Sequence, residues 1–499
     1  MGGGQGWLFE PTFNRAIKVR KRDDRLTSDA GVLLVREAEH RLGLVESLAA
    51  RMIDPRDPAL VRYSLVELLR ERLYAQSQGY RAQDDLDRLA HDPALKMAVW
   101  DRPGETVLDE RLASQPTHSR LLDILASCPQ NREALRGALA DWVERHLRAG
   151  GNDHAARYGT VDLDSFPIEV HGEQPGGAYN GHYRETVYHP LVASFSVNGN
   201  YDPLQHGGRL GHGFVHAILR SGTAPSAEGT ARFVDELMRK CGGLAQVLDL
   251  RMDAGFTHGE VMDRLTDHKV RFLGRLKGNR VLDDLAAPHL TRPAGRPPKE
   301  GYEFTVELGP YRAESWRHAQ RLILVVIDAP DATTGQLNLL PDYFFLVTNH
   351  PKTELSGDDG LEHYRGRGTF EDRVGEFNKA IHPRLSSPDF HENEVTFLLC
   401  LLAFNLASML RGEMEETVGG CWDLHRFQTT VLKAGARVVK HSRRRLVDLA
   451  QAVAPLWELL VARLRRWKLS ARWPAPPGPA IRPGQPLPAH AFRKEVLRL

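Results

Sequence analysis

Apolar residues recur at three- and four-residue spacing through the first third of the chain. Between residues 28 and 140 the spacing is clearest in GVLLVREAEHRLGLVESLAARM and SLVELLRERLYAQ, with Ser, Asp and Pro between the segments. A repeat close to that of an α-helix places these apolar side chains on one helical face. The pattern therefore predicts a helical region over residues 1–150, which begins with a short basic arm, RAIKVRKRDDR.

The periodicity changes near residue 158, where polar and apolar residues begin to alternate. Strands are predicted at YGTVDLDSFPIEVHG, YHPLVASFSVNGNYDPLQHGGRL and GFVHAILRSG, separated by Gly, Asn and Pro turns. The helix AEGTARFVDELMRKCGG, the strand AQVLDLRMDAGF, the helix HGEVMDRLTDH and the strand VRFLGRLKG follow. Strands followed by alternating helix and strand indicate an α/β unit over residues 151–280, with helices packed on a mixed sheet.

Residues 281–350 interrupt this alternation. A Pro- and Gly-rich segment is followed by four strand-like stretches, YEFTVELG, YRAESW, RLILVVIDA and YFFLVTNH. We interpret them as an all-β insertion within the α/β unit. The helical pattern returns over residues 351–390 and continues through a helical basic region at 391–470, and the Pro-rich basic tail at 471–499 is expected to be disordered.

Length and composition exclude several classes of protein. With 499 residues, about three folded units are expected, and 41% hydrophobic with 26% charged residues is ordinary globular usage. The longest apolar stretch, residues 395–402, is far shorter than the ~18–20 residues of a membrane helix, and no secretory signal opens the chain. Four widely spaced cysteines form neither a disulfide scaffold nor a zinc ribbon. We therefore expect a cytoplasmic protein without a membrane partner.

Charge is nearly balanced overall but unevenly distributed. Residues 431–499 contain 15 Lys and Arg against 3 Asp and Glu, a net charge of +12, which leaves about −10 for the rest of the chain. This asymmetry indicates either a polyanion partner at the C-terminal end, with a cation site in the body, or a solvated basic helix. Arg443, Arg444 and Arg445 form the densest basic cluster and are candidates for DNA contacts.

Carboxylates occupy three places where packing does not explain them. In TVDLDSFPIEV, Asp162 and Asp164 interrupt an apolar strand, and a period of two puts them on the same face. Asp253 ends the strand of VLDLRMDAGF, where α/β sheets build their sites. Glu371 lies on a helix after a Gly-rich turn. Two such aspartates and one glutamate can hold a pair of Mg²⁺ ions that activate a hydroxyl and stabilise a leaving oxygen.

Three segments resemble the motifs of the DDE transposases of bacterial insertion sequences, in the group described as transposase DDE domain group 1. They are VDLDSFPIEVHGEQPGGAYNGHYRETVYHPLVA, LRMDAGF with GRLKGN downstream, and YRGRGTFEDRVGEFNKA. Related cut-and-paste enzymes have a third motif, Tyr-x₂-Arg-x₃-Glu-x₆-Lys, and Tyr364, Arg367 and Glu371 match its spacing. Asn378 stands where the lysine belongs, and Lys379 follows it.

The resemblance implies a ribonuclease-H-like catalytic core that is interrupted by the β insertion and flanked by helical N- and C-terminal regions. It implies that Asp164, Asp253 and Glu371 are catalytic and hold two Mg²⁺ ions per active site, with Mn²⁺ as a substitute. Asp164 fits the family pattern better than Asp162, because Ser165 follows it; Asp162 remains an alternative catalytic carboxylate or a supporting group. The residues of the third motif implied to contact DNA are Tyr364, Arg367 and Lys379.

The function implied is that of a DNA transposase that binds terminal inverted repeats and catalyses Mg²⁺-dependent strand cleavage and strand transfer. Its partners would be double-stranded DNA, at the transposon ends and at the target, and a second copy of the chain in a paired-end complex. Two alternatives remain: a nuclease of the same fold without strand transfer, and a non-catalytic DNA-binding derivative. The presence of all three acidic motifs argues against the second.

Trp316, in the stretch YRAESWRHAQ of the insertion, has two interpretations. It either packs on the sheet or offers a face on which a base flipped out of the DNA end can stack. Its neighbours Arg312 and Arg317 would then hold the adjacent phosphates. We therefore include Trp316 among the candidate DNA-binding residues.

Overall fold

The structure, a computed structural model, describes residues 7–21, 23–101, 108–149, 156–198, 212–292, 301–330, 340–441 and 444–467. The Pro-rich tail at 471–499 and Arg443 lie outside these ranges.

The N-terminal region is helical, as the apolar spacing predicts. It contains a short strand, β1 (Arg25–Thr27), and the helices α1 (Val32–Leu42), α2 (Leu44–Ala49), α3 (Leu65–Ser77), α4 (Asp85–Leu89), α5 (Pro93–Val99), α6 (Gln115–Ser127) and α7 (Pro129–Ala149). Local sequence sets where these helices begin. Ser64 and Glu67 form a reciprocal capping box at the start of α3, and Asp92 accepts a hydrogen bond from the Leu95 N–H at the start of α5.

An eight-stranded mixed sheet forms the centre of the molecule, which confirms the α/β class. Its strands are β2 (Ala156–Ser165), β6 (Leu191–Asn198), β7 (Gly213–Ile218), β8 (Ala245–Met252), β9 (Arg271–Leu276), β10 (Tyr302–Tyr311), β11 (Gln320–Asp328) and β12 (Asp342–Thr348). A separate small sheet consists of β3 (Ile168–Glu169), β4 (Ala178–Asn180) and β5 (Glu185–Tyr188). The strand order in the eight-stranded sheet is β10-β11-β12-β9-β8-β2-β6-β7. Strands β2, β8 and β9 run parallel, and the other neighbouring strands pair antiparallel.

Two helices cover one face of this sheet, α8 (Thr230–Cys241) and α9 (Gly259–Asp267). Val161 and Leu163 of β2 are fully buried on that face, together with Leu250 and Met252 of β8. The alternation along β2 therefore has the expected consequence: the apolar residues pack beneath the helices, and the intervening aspartates point to the opposite face.

The interpretation of residues 281–350 as an all-β insertion within the α/β unit is wrong in one respect. Residues 281–350 include part of a helix, α10 (Arg280–Ala286), whose first turn is capped by the Asn279 side chain. Strand β12 pairs with β9, so β10, β11 and β12 extend the central sheet. A strand at the edge of a sheet leaves backbone groups unpaired, and β12 supplies the partners that β9 would otherwise lack.

The C-terminal part is less helical than its sequence suggests. It contains α11 (Gly357–Arg365), α12 (Gly368–Ala380), α13 (Phe390–Val418), α14 (Leu424–Phe427), β13 (Ala436–His441), β14 (Arg444–Leu449) and α15 (Ala454–Leu464). The expectation of a wholly helical region over 391–470 is wrong, because β13 and β14 form a hairpin that pairs with β1. The ion pair between Arg437 and Asp24 adds to this junction between the two ends of the chain.

Helix α13 is the central helix of the helical region. By length and composition its 29 residues could cross a membrane, but the most apolar part of the helix is entirely buried inside the protein. The helix packs against α3, α6, α7 and α15 in the described structure. The apolar stretch at 395–402 therefore lies in the first half of a longer core helix.

Candidate active site

Two of the predicted carboxylates reach the same edge of the sheet because β2 and β8 are parallel neighbours. The register places Asp162 opposite Arg251 and Leu163 opposite Met252. Asp164 and Asp253 are the next residues along, so they follow at the carboxyl ends of their strands on one face. Both side chains are partly buried.

The third motif contacts these two aspartates from the last turn of α11 and the start of α12. Tyr364 donates a hydrogen bond from its hydroxyl to Oδ1 of Asp253, at 3.2 Å. Arg367 donates from Nη2 to Oδ2 of Asp164, and the backbone N–H of Ser165 donates to Oδ1 of Asp164 at 2.8 Å. Each strand-end aspartate therefore meets one polar side chain of the third motif.

The three carboxylates share one electrostatic environment. Burial raises the pKa of Asp164 to about 6, and the negative charges of Asp253 and Glu371 act in the same direction, against Arg367 and the Ser165 N–H. Glu371 lies in the first turn of α12 with its side chain exposed. Negative charge thus accumulates at this edge, and the guanidinium of Arg367 compensates part of it.

The chemistry of these side chains fits a hard divalent cation, which prefers carboxylate oxygens. Their excess negative charge, which already raises the pKa of Asp164, is the second feature that favours a cation. No three His, Cys, Asp or Glu side chains lie close enough to hold one ion within the ranges that the structure describes. A bound ion and the guanidinium of Arg367 would both act on the carboxylate of Asp164.

Asp162, the alternative first carboxylate, does not lie at this edge. It is fully buried one pleat earlier on β2, and both of its oxygens accept hydrogen bonds from Arg251, at 2.7 Å from Nε and 2.8 Å from Nη2. A carboxylate engaged on both oxygens by a buried guanidinium is poorly placed to bind an ion. The geometry therefore favours Asp164 and assigns Asp162 a supporting place.

Trp316 packs within the protein. Only 8% of its surface is exposed, its ring meets Tyr311 edge-on at a centroid distance of 5.4 Å, and it lies against Gly259, where a Cβ would collide with its ring. Arg317 turns toward α9 and pairs with Asp263 and Asp267 at 3.2 and 2.7 Å. Such a buried ring presents no face to a DNA base, so the stacking interpretation is wrong in this conformation and the packing interpretation holds.

The other candidate DNA contacts lie at the end of α12 and on the C-terminal hairpin. Lys379 is in the last turn of α12, where it pairs with Asp423 at 2.7 Å and stays half-exposed. Arg444 and Arg445 lie on β14, opposite His441 and Lys440 of β13. These two arginines are therefore carried by a strand hairpin, which corrects the expectation of a basic helix.

Sequence reasoning missed four groups around this edge. Arg251, Asp249 and His363 form the buried contacts beneath the third motif, and Tyr183 lies close enough for the charge of Asp164 to add to the burial that raises its pKa. For Arg251 a signal existed, because Arg-x-Asp on β8 repeats the spacing of Asp-x-Asp on β2. No comparable pattern distinguishes Tyr183.

Comparisons with known proteins identify a family and similar solved structures. The family model described as transposase DDE domain group 1 matches residues 9–469, a range that contains all three acidic motifs. No curated protein matches the chain. Among solved structures, the chain is similar to one described as "Cryo-EM structure of piggyBac transposase synaptic complex with hairpin DNA", with 11% identity, a TM-score of 0.42, and coverage of 87% of this chain and 81% of that one.

Proposed function

The chain belongs to the transposase DDE domain group 1 family, and on that premise we propose that it binds the inverted repeats of a transposon, cleaves DNA strands there and joins the freed 3′ ends to target DNA. One observation carries the proposal. The third motif meets both strand-end aspartates, through Tyr364 on Asp253 and Arg367 on Asp164, and the charge of Glu371 acts on Asp164.

The architecture supports a ribonuclease-H-like core for this reaction. Strands β7, β6 and β2 form an antiparallel set, and β8 and β9 continue it in parallel with β2. The two aspartates stand at the carboxyl ends of the central pair, and the helix with the glutamate packs over the same edge. An edge of this kind is where open α/β sheets assemble their sites.

Asp164, Asp253 and Glu371 would hold the divalent ions, Mg²⁺ with Mn²⁺ as a substitute, two per active site. When bound, such ions activate the attacking hydroxyl and stabilise the leaving oxygen. Arg367, which lies beside Asp164, would present its guanidinium to a DNA phosphate. Tyr364 holds Asp253 in orientation through its hydroxyl.

Double-stranded DNA is the proposed partner, as transposon ends and as target. The basic hairpin with Arg444 and Arg445 would contact the phosphate backbone, together with the N-terminal helical region and Arg443. Cutting and joining two ends in one event requires two active sites, so we propose that two copies of the chain form the paired-end complex.

The test replaces each carboxylate by its amide. Asp164→Asn, Asp253→Asn and Glu371→Gln should each abolish strand cleavage and leave binding to end DNA nearly unchanged, because amides lack the charge that holds divalent ions. Asp372→Asn, at the next and equally exposed position of α12, is the matched control and should cleave normally. Cleavage at the wild-type rate by any of the three variants would remove that residue from the site.

A joining assay with paired ends and a target plasmid separates the alternatives. Cleavage without joined products would identify a nuclease of the same fold. Binding of the ends without cleavage by the wild-type chain, in Mg²⁺ or Mn²⁺, would identify a non-catalytic DNA-binding derivative.

A further inference from the structure

The sheet face beneath α11 and α12 carries polar residues at successive levels of β2 and β8. The register pairs Thr160 with Asp249 and Asp162 with Arg251, and the two candidate catalytic aspartates follow at the strand ends. The two lower levels are buried and take no part in the proposed chemistry. Charged groups buried in a core require a reason, because their desolvation is costly.

Arg251 connects this face to the third motif. Besides its two bonds to Asp162, it donates from Nη1 to the backbone oxygen of His363 at 2.7 Å. His363 directly precedes Tyr364 at the end of α11. At Gly366 a Cβ would lie 2.3 Å from Nη1 of Arg251, so the turn between α11 and α12 can rest on the guanidinium only because this residue has no side chain.

Asp249 makes a second connection one level lower. His363 Nε2 contacts Oδ2 of Asp249, and His350 Nε2, from the turn after β12, lies 3.2 Å from Oδ1. Burial by itself would raise the pKa of Asp249, but the two imidazoles hold it well below its usual range. The backbone and the side chain of His363 are therefore both tied to β8, through Arg251 and through an ionised Asp249.

We propose that Asp162, Arg251, Asp249 and His363 form a positioning relay that sets the turn carrying Tyr364 and Arg367, and with it Glu371, against the strand-end aspartates. The proposal rests on the proposed function for what those groups then do. All four are buried beneath the third motif, so we assign them as positioning residues.

The physical reason is directionality. Apolar packing tolerates small shifts of a helix, whereas a guanidinium fork on a carboxylate has one planar geometry. Helix α11 follows the insertion, a long way along the chain from β2 and β8, so chain connectivity does not set its position. A displacement of about 1 Å in a reacting group can cost on the order of 100-fold in rate, which makes such a constraint useful here.

Arg251→Lys is the test, because lysine keeps the charge but cannot form the fork on Asp162 and the bond to His363 together. Arg292→Lys is the matched control: Arg292 makes the same two-bond contact with buried Asp328, at 2.7 and 2.9 Å, in the extended part of the sheet. Both variants are compared with the wild type as full chains, and circular dichroism monitors folding.

The first readout is amide hydrogen exchange over residues 357–372 in the absence of DNA and metal. Arg251→Lys should accelerate exchange there by about tenfold or more, and Arg292→Lys should leave this segment unchanged. The second readout is the Mn²⁺ concentration for half-maximal DNA cleavage, which Arg251→Lys should raise by about 10- to 100-fold, the usual effect of removing a group that orients metal ligands.

A double variant tests whether the relay acts as one unit. Asp162→Asn added to Arg251→Lys should cause little further change in either readout, because coupled residues are not additive. If Arg251→Lys does not fold, His350→Gln replaces it as the test variant, because His350 contacts Asp249 from the other side. The same acceleration of hydrogen exchange over residues 357–372 is then expected.

The relay would be overturned if Arg251→Lys exchanged its amide hydrogens over residues 357–372 as slowly as the wild type. It would also be overturned if Arg292→Lys accelerated exchange there equally. Failure of the wild-type chain to cleave DNA would instead count against the proposed function. The two failures are distinguishable because the exchange measurement needs neither DNA nor metal.

Discussion

Arg367 donates a hydrogen bond to Oδ2 of Asp164 and so joins the turn between α11 and α12 to the carboxyl end of β2. The contact supplies a positive charge from the protein to a carboxylate whose ionised form is disfavoured by burial and by two neighbouring carboxylates. A divalent ion would supply positive charge to the same carboxylate from solution. The arginine and an ion therefore compete for one aspartate, which has measurable consequences.

The stability of the protein should depend on the protonation of Asp164. Its pKa is raised to about 6 in the folded protein, so the folded state binds the proton more tightly than the unfolded state. The free energy of unfolding contributed by this group is therefore lost as pH rises from about 4 to about 6, and the loss amounts to at most about 3 kcal/mol. Denaturant unfolding from pH 4 to 8 should show this decline for the wild type relative to Asp164→Asn, which does not titrate. Parallel profiles would refute the assignment.

Divalent ions should reverse that loss. Because an ion binds the ionised carboxylate, Mn²⁺ should stabilise the wild type more at pH 8 than at pH 5. The control is Asp164→Asn, for which the stabilisation should be smaller at pH 8. Equal shifts of the melting temperature in both chains would mean that the ion binds elsewhere.

Trp316→Ala should destabilise the protein rather than impair one chemical step. Removal of a buried tryptophan side chain costs about 3–5 kcal/mol, and Trp316→Phe should cost less because an aromatic ring remains against Tyr311. Denaturant unfolding measures both. A stable Trp316→Ala protein that nicks the first strand but fails on the second, and recovers on DNA with an abasic site, would restore the base-stacking interpretation.

Neutralising Arg443, Arg444 and Arg445 together should weaken DNA binding across sequences. If all three contact phosphates, the slope of log affinity against log salt should flatten by up to about three units, near 0.9 for each contact. Neutralising Arg232 and Arg239, two basic residues of α8, serves as the control with an unchanged slope. Identical slopes for both variants would mean that the hairpin faces solvent.

The exposed pair of Lys379 and Asp423 tests the displaced lysine of the third motif. Asp423→Asn should strengthen DNA binding and steepen its salt dependence by about one unit, because it frees a cation for a phosphate. Lys379→Gln should have the opposite effect. The pair itself is worth at most about 1 kcal/mol as an exposed ion pair, so neither change should alter folding measurably. Unchanged binding in both variants would remove Lys379 from the DNA interface.

Local pattern was sufficient for much of the fold. The three- and four-residue spacing of apolar positions predicted the N-terminal helices, and the alternation around Asp164 predicted a strand with one apolar face. The β13–β14 hairpin was missed, because its partner strand β1 lies at the opposite end of the chain. For a similar reason, the strands of the insertion do not by themselves reveal that β12 pairs with β9.

Motif spacing in the sequence identified Asp164, Asp253 and Glu371 as candidate catalytic residues, and their carboxylates suit a divalent ion. The tertiary structure added a physical reason to prefer Asp164 over Asp162, a buried arginine on a neighbouring strand, and its burial of Trp316 decided between the two interpretations of that residue. Periodicity along a chain determines which face a side chain shares with its sequence neighbours. The residues opposite that face are decided by the pairing of distant strands and helices, because burial and charge compensation depend on the whole fold.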